Sequence, residues 1–181
     1  MNITSLKRWL PVDAPLRNDA AARSPAVLAA VVAQFDVEHN PRYLPAHGDT
    51  FCSTFVWDVT RALGAEVPHW VDENGRPCRP GLVASRELNA NGVGWWLRVH
   101  GGKYGWSELH ALAAQERADR GRPVVGVWEN ADGEHGHIVV VIPGAWEDGG
   151  PWCAQAGGVN HERALASRCF GAHKPRWWGH A

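Results

Sequence analysis

Cys52 is the side chain of this sequence whose type and position are best suited to covalent chemistry. It falls in the first turn of a predicted helix, on an apolar stripe that it shares with Phe55, Val56 and Val59. A thiol is a strong nucleophile when it is ionised, and the unpaired N–H groups and positive dipole end of a helix N-terminus favour the thiolate. The same N–H groups can hydrogen-bond the oxyanion of a tetrahedral intermediate. Cys52 is therefore a candidate nucleophile, although a lone cysteine on such a stripe is more often a small core residue.

His137 offers the base that such a thiol needs. It follows Gly136 and opens a strongly apolar run, so its imidazole is expected at the end of a strand, facing a cleft. A base that is held on a rigid strand suits proton transfer. His135 lies two residues earlier and would share a face with His137 on an extended backbone, so it is the alternative base.

The third member of this constellation is expected to be a polar side chain that orients the histidine through its other ring nitrogen. Gln155 is the first choice, because it lies among small residues on the next predicted strand. Asn160 and His161 follow in the adjoining turn and remain alternatives. Asp58 is interpreted instead as a surface partner of Arg61 at i,i+3.

The helices that position these groups are predicted from the spacing of apolar residues and from their end signals. They span residues 25–37, a segment from about residue 50 that Gly64 ends, residues 91–99 and residues 107–120. The expected N-caps are Ser24 for the first, Asp49 or Thr50 for the second, and Ser107 for the fourth. Residues 65–85 are predicted to be a long loop, and a short helix is expected near residues 161–167.

The pattern changes after Pro123 from helical spacing to short apolar runs. Strands are predicted over residues 124–128, 137–142, 152–156 and 176–179, and they are expected to form one antiparallel sheet. Because helices come first and strands follow, the order predicts an α+β fold and not a doubly wound sheet.

Composition limits the classes of protein that the chain could represent. It has 181 residues, of which 45% are hydrophobic and 20% charged, with a formal net charge of −1. The length predicts a single domain, which we place at residues 24–181. Residues 1–23 have Pro11, Pro15 and scattered charges without clear periodicity, so they are predicted to be an irregular N-terminal arm. The composition and charge argue against intrinsic disorder and against a nucleic-acid partner. We expect no membrane span and no signal peptide, since no run approaches roughly 18 apolar residues.

The four cysteines are too dispersed for a disulfide scaffold, and none forms a CxxC pair. They are interpreted as free thiols, with a bridge between Cys153 and Cys169 left open. No HExxH motif occurs among the ten histidines, and His135 and His137 with a distant cysteine make a weak ligand set. We therefore expect no metal and no organic cofactor.

The eleven tryptophans are unusual for a chain of this length. The pairs at residues 95–96 and 177–178 predict that one indole of each lies near the surface, where it could bind a sugar or a protein partner. Ordinary amphipathic packing is the simpler interpretation for most of the others.

Two segments carry a resemblance to a known group of enzymes. Residues 51–56 (FCSTFV) are similar to the Cys-Ser-x-Phe-Val signature of NlpC-type cell-wall cysteine peptidases, and residues 136–141 (GHIVVV) resemble the histidine strand of those enzymes and of CHAP amidases. The order of a nucleophile helix, a histidine strand and a polar residue on the next strand is also similar. The longer pattern over residues 49–70 resembles phage lysins and the amidase effectors that bacteria inject into competitors.

The resemblance, which covers roughly residues 40–179, implies a papain-like fold and a cysteine hydrolase. The implied substrate is an amide bond in peptidoglycan, cut by a stem-peptide endopeptidase or by an N-acetylmuramoyl-L-alanine amidase. Phe51 stands where the NlpC pattern usually has an aspartate, and an amide stands at the third position where many relatives have His, Asn or Glu. Alternatives on the same fold are acyl transfer and protein deamidation, and a non-catalytic wall-binding module is a further alternative.

The resemblance also implies where such a protein would act. An injected effector would work in the periplasm of a target cell and would have a cognate immunity protein as partner. A phage lysin would reach the cell wall from the cytoplasm at host lysis. In either case we expect a monomer whose substrate is the wall.

Overall fold

The computed structural model describes residues 6–18, 20–82, 84–133 and 135–181. Within these ranges the chain has the α+β architecture that its element order predicts, with helices on both faces of a six-stranded antiparallel sheet. The α-helices are Pro25–Ala33 (α1), Cys52–Ala62 (α2), Ala90–Val99 (α3), Ala111–Ala118 (α4) and Ala166–Phe170 (α5). The strands are Trp70–Val71 (β1), Arg86–Glu87 (β2), Trp106–Leu109 (β3), Val124–Trp128 (β4), His137–Val141 (β5), Trp152–Gln155 (β6), His161–Leu165 (β7) and Arg176–His180 (β8).

The large sheet has the strand order β3-β8-β4-β5-β6-β7, and all neighbours in it are antiparallel. β4 and β5 form its centre, with Trp128 opposite His137. β6 pairs with the other edge of β5, where Val140 lies opposite Ala154. This order puts His137 and Gln155 on neighbouring strands.

Alternate residues of the central strands contribute to two separate apolar cores. Ile138 and Val140 pack with residues of α1, α2 and α3, whereas Val139 and Val141 pack with residues of α4 and α5. Since both faces of the sheet are covered, its central strands have continuous apolar sequences and not an alternating pattern.

The same two-sided burial affects the tryptophan pairs. Trp177 is 6% exposed and Trp178 7% exposed, because β8 lies between β3 and β4 and each indole enters one of the two cores. The prediction that one indole of this pair lies near the surface is therefore wrong. In the other pair Trp96 is fully buried and Trp95 is half-buried.

Helix α2 holds Cys52 against the sheet. Its residues are almost all buried, and it contacts β5. Gly64 ends it as predicted, because its φ of +66° is a left-handed conformation that glycine adopts without strain. The predicted N-caps Asp49 and Thr50 are wrong, since the N-cap residue is Phe51 and it makes no side-chain cap hydrogen bond.

Residues 6–18 contain no helix or strand, a 3-10 turn follows at Ala20–Ala22, and part of this described segment packs on α2. Val12 and Ala14 are each 7% exposed and belong to the core. The backbone of Asn18 donates to the carbonyl oxygen of Ala62 at 3.1 Å. Residues 1–5 and Asp19 lie outside the described part of the chain.

A buried ion pair fixes this segment to α2. Asp58 accepts from Nε of Arg42 at 2.6 Å, and both side chains are fully buried. Nη2 of Arg42 also donates to the carbonyl oxygen of Leu10 at 2.9 Å, and the hydroxyl of Tyr43 donates to Asp58 at 2.9 Å. The prediction of a surface pair between Asp58 and Arg61 is therefore wrong.

Two predicted helices differ from the structure. The fourth begins later than expected, and the short one near residues 161–167 is mostly a strand. Residues 107–109, the expected start of the fourth helix, belong to β3, and Ser107 lies opposite Gly179 of β8. The helix α4 begins at Ala111 and His110 caps it. The expected helix near residues 161–167 is mostly β7, which pairs with β6, and α5 follows it. In the first case the partner strand β8 is distant in sequence, so local spacing does not reveal it, whereas β7 pairs with the strand that precedes it, β6.

The remaining differences concern element lengths. α1 has its predicted cap at Ser24, whose hydroxyl accepts from the backbone of Val27 at 3.2 Å, but it ends at Ala33 and not at residue 37. The predicted loop over residues 65–85 contains β1, which pairs with β2. In the described part of the chain, no helix has the length and apolar character that a membrane crossing would need.

Candidate active site

Cys52 is the first residue of α2, and the amide groups around it start an uncapped helix. Ala46 and Asp49 form a backbone bridge across a tight turn, which holds Asp49 away from the helix. The N-cap residue offers no side-chain partner to the first N–H groups, and the backbone of Cys52 and of Ser53 contacts the Cys52 thiol instead. Thr50, Phe51 and Ser53 line a cavity at this helix end, so the donors lie where a substrate oxygen could reach them.

The environment of the Cys52 thiol is dominated by burial, with the residue 6% exposed. Burial raises the pKa of Cys52, while hydrogen bonds with the backbone of Ile138, of Ser53 and of Cys52 itself act in the opposite direction. The contact with Ile138 puts the thiol beside the residue that follows His137 on β5. The thiol is therefore protonated at rest, and its immediate surroundings stabilise the negative charge once the proton leaves.

The imidazole of His137 makes one short hydrogen bond, between its Nε2 and Oε1 of Gln155 at 2.6 Å. The orientation of the Gln155 amide is fixed, because its Nε2 donates to the carbonyl oxygen of Val159 at 2.9 Å. Oε1 can only accept, so the proton of the neutral imidazole is on Nε2 and the lone pair is on Nδ1. Gln155 thus selects the tautomer in which Nδ1 can act as a base.

Burial lowers the pKa of His137, and the hydrogen bond with Gln155 raises it by a smaller amount. The imidazole ring packs edge-on against Phe170 of α5, with ring centroids 5.4 Å apart. Cys52 reaches the start of β5 from the side of α2. Among the described residues, no hydrogen bond joins the thiol to the imidazole. Catalytic hydrogen bonds of this kind often tighten only with substrate bound.

The alternatives to Gln155 have other partners. Nδ2 of Asn160 donates to the carbonyl oxygens of Val37 and Tyr43 at 2.7 Å and 3.1 Å, so this residue anchors the loop. His161 accepts from Nε of Arg168 at 3.3 Å. The structure brings Gln155, and neither of these two, against His137.

The alternative base His135 lies in a different place from His137. His135 is exposed and lines the cavity at the start of α2, whereas His137 is half-buried and lines a second cavity. They do not share a face because β5 begins only at His137. Glu134, between the predicted strands, lies outside the described residues.

Two cavities share Thr50, two residues before the candidate nucleophile Cys52. The first, which we call the His137 cavity, has a volume of about 460 Å³ and is lined by His137, Gln155, Gly157 and Arg168 among others. The second, the Phe51 cavity, has a volume of about 700 Å³ and is lined by the start of α2 and by residues of β2 and α3. Together they provide room for a substrate on both sides of Cys52.

Two glycines lie beside His137, and the one that precedes it is needed for steric reasons. A Cβ at Gly136 would lie 2.3 Å from the carbonyl oxygen of Trp128, so no side chain fits where β5 begins. A Cβ at Gly157 would lie 3.5 Å from Cε1 of His137 and would occupy part of the His137 cavity. The first explains in physical terms why glycine precedes the candidate base.

Sequence reasoning missed the residues of β7 and α5 that line the His137 cavity, such as Arg168 and Cys169. It assigned residues 161–167 to one short helix, whereas His161–Leu165 is strand β7, and Arg168 and Cys169 lie on the helix α5 that follows. His161–Leu165 shows no clear alternation in burial, so no local pattern marks this segment as a strand.

The cysteines other than Cys52 are free thiols. Cys169 hydrogen-bonds with Cys153, and this bond is the main cause that lowers the pKa of Cys169. The positive charge of the nearby Arg168 lowers it further. The two residues predicted as a candidate bridge are therefore adjacent and unbridged. In residues 6–18, 20–82, 84–133 and 135–181, no group of three or more His, Cys, Asp or Glu side chains is placed to hold a metal ion.

Neither a protein-family model nor a curated protein sequence matches the chain. The geometry of the site is therefore the basis for any functional assignment. Three features together suit the site to attack on a carbonyl carbon. They are a histidine whose tautomer is fixed by an amide, a thiol at an uncapped helix start, and the two cavities nearby.

Proposed function

We propose that this protein is a papain-like cysteine hydrolase that cleaves an amide bond in peptidoglycan. The observation that carries the proposal is the 2.6 Å hydrogen bond between His137 and Gln155, next to the backbone that contacts the Cys52 thiol. The sequence resemblance to NlpC-type and CHAP enzymes supplies the substrate class. The papain-like assignment rests on that resemblance and on the nucleophile helix packed against an antiparallel sheet.

In the proposed mechanism both groups start neutral, because burial raises the pKa of Cys52 and lowers the pKa of His137. Substrate binding brings Sγ and Nδ1 together, and the proton passes from sulfur to nitrogen. The thiolate attacks the carbonyl carbon, and the amides at the start of α2 stabilise the oxyanion.

The second half of the mechanism uses the same base. Protonated His137 gives its proton to the leaving amine, and an acyl-enzyme remains on Cys52. His137 then accepts a proton from water, which attacks the thioester and releases the acid product. Gln155 holds Nε2–H throughout, so Nδ1 faces the reacting atoms in each step.

Matched histidine variants test the assignment of the base. His137→Ala should release no fragments from isolated peptidoglycan sacculi, whereas His135→Ala should release the same fragments as the wild type. Mass spectrometry of the fragments would identify the bond, as either a stem-peptide link or the link between the sugar lactyl group and the first alanine. Loss of activity in His135→Ala with retention in His137→Ala would refute the assignment.

Other outcomes of the sacculus assay would favour the alternatives. A folded protein that modifies a protein or lipid substrate and leaves sacculi intact would be an acyltransferase or a deamidase on the same site. Binding to sacculi without any fragment release would indicate a wall-binding module.

The proposed place of action is the cell wall, reached by injection or after host lysis. The proposed partner of an injected form is a cognate immunity protein that covers the cleft. Periplasmic expression should then be toxic and cytoplasmic expression harmless, and co-expression of the immunity protein should relieve the toxicity.

A further inference from the structure

Arg168 lies on the rim of the His137 cavity and is exposed to solvent. Its Nε donates to Nε2 of His161 at 3.3 Å, which leaves the two terminal nitrogens of the guanidinium directed away from that contact. Other arginines of the chain have acidic partners, as Arg42 has Asp58 and Arg176 has Glu108. Within the described ranges, no salt bridge joins Arg168 to an acid.

The described residues that line the His137 cavity give it a positive charge. Among the described residues that line it, Arg168 is the only one with a fixed charge and none is acidic. Its field reaches the neighbouring thiol, because Arg168 contributes to the lowered pKa of Cys169. The Phe51 cavity differs, since Asp49 and Glu87 line it together with Arg86.

The cavity also has open space next to this cation. Gly157 and Gly158 form part of its wall, and a Cβ at Gly158 would meet nothing within 4 Å. The guanidinium of Arg168 and the amide of Gln155 line the same volume of about 460 Å³. A planar, permanently charged donor beside open space is suited to bind a carboxylate through two parallel hydrogen bonds.

We propose that Arg168, held in place by His161, binds a carboxylate of the substrate in the His137 cavity and so selects acidic stem peptides over their amidated forms. This inference rests on the proposed function for its substrate class. It assigns the His137 cavity to the carboxylate-bearing part of the peptide and the Phe51 cavity to the part beyond the scissile bond on the other side of Cys52.

The test measures binding in the Cys52→Ala protein, so that it is independent of turnover. The probes are two synthetic stem peptides of the same sequence. One has free carboxylates, and in the other every carboxylate is replaced by a carboxamide. Calorimetry should show tighter binding of the acidic peptide. Arg168→Gln should weaken it about five- to tenfold and leave the amidated peptide unchanged, because an exposed charge-assisted bond contributes a modest share of affinity.

Two further variants complete the design. Arg168→Lys should keep part of the preference, since it retains the charge and loses the two parallel donors. Arg120→Gln removes an exposed arginine that does not line the cavity and should bind both peptides as the parent does. Equal affinity for the two peptides, equal effects of Arg168→Gln on both, or no binding of either would overturn the inference. If the preference for the acidic peptide is seen and the wild type releases no fragments from isolated sacculi, the carboxylate site stands and the proposed hydrolase activity fails.

Discussion

Two substitutions at Gln155 should shift the acidic limb of the kcat/KM–pH profile in opposite directions. Gln155→Ala should move it to lower pH, and Gln155→Glu should move it to higher pH. The imidazole of His137 must be neutral to act as a base, so kcat/KM should rise with pH through the pKa of this group and then level off. Because burial lowers the pKa of His137 from its ordinary value of 6.5, the limb of the wild type should lie below pH 6.5.

Gln155→Ala removes the acceptor that raises the pKa of His137, so the limb should move to lower pH. It also leaves Nε2–H without its 2.6 Å partner in a buried site. An unsatisfied buried donor costs about 1–3 kcal/mol. If that cost falls on the transition state, kcat should decrease about 5- to 150-fold.

Gln155→Glu keeps an acceptor at this position and adds a negative charge. Two unit charges about 4 Å apart at an effective dielectric constant near 20 interact by about 4 kcal/mol, which corresponds to about three pH units. Gln155 is 6% exposed, so the cost of burying the carboxylate offsets part of this. The carboxylate also lacks the donor to Val159. We expect the limb to move upward by about one to two pH units.

The assay is kcat/KM on a soluble muropeptide that contains both candidate bonds, between pH 4 and 9, with thermal melting of each variant as the control for folding. The reasoning is refuted if both variants move the limb in the same direction. It is also refuted if the limb of the wild type lies above pH 6.5.

The remaining predictions concern geometry and stability. Gly136→Ala should lower kcat at least about tenfold, because the new Cβ must displace the start of β5, whereas Gly102→Ala, which meets no atom within 4 Å and lies outside both cavities, should match the wild type in the same assay. Asp58→Asn should lower the free energy of unfolding in urea by about 3 kcal/mol or more, because it leaves the charge of fully buried Arg42 without a partner. Glu108→Gln breaks an exposed pair and should cost less than about 1 kcal/mol, so equal losses in the two variants would contradict the importance of the buried pair.

The central hairpin and α3 could be predicted from sequence because their signals are local. The apolar runs before and after the polar residues 129–136 became β4 and β5, and α3 begins one residue before its predicted start at residue 91. These elements also fix the relation between His137 and the next strand, so the neighbouring placement of Gln155 followed from the order of strands.

The errors occur where partners are distant in sequence. Ser107 is followed by residues of good helical character, but β8 lies some seventy residues further on and its Gly179 pairs with Ser107. Arg42 and Asp58 are 16 residues apart and meet only because the chain returns along α2. No local pattern identifies either contact, since each depends on tertiary packing.

Helix α2 lacks the side-chain cap that its sequence predicts. Asp49 and Thr50 are favourable cap residues, so a capped helix was the natural expectation. The bridge between Ala46 and Asp49 holds the chain in a turn, and Phe51 becomes the N-cap residue without a side-chain bond. The amides at this helix start are the ones that the proposed mechanism assigns to the oxyanion.

The central claim is that Cys52 is the nucleophile of a peptidoglycan hydrolase. Purified wild-type and Cys52→Ala proteins would be incubated with isolated sacculi under reducing conditions, and released fragments would be identified by mass spectrometry. Circular dichroism should show that both proteins are folded, because the substitution removes one sulfur atom from a site that is 6% exposed. The account predicts fragments from the wild type and none from Cys52→Ala. The same fragments from both proteins, or none from either, would contradict it.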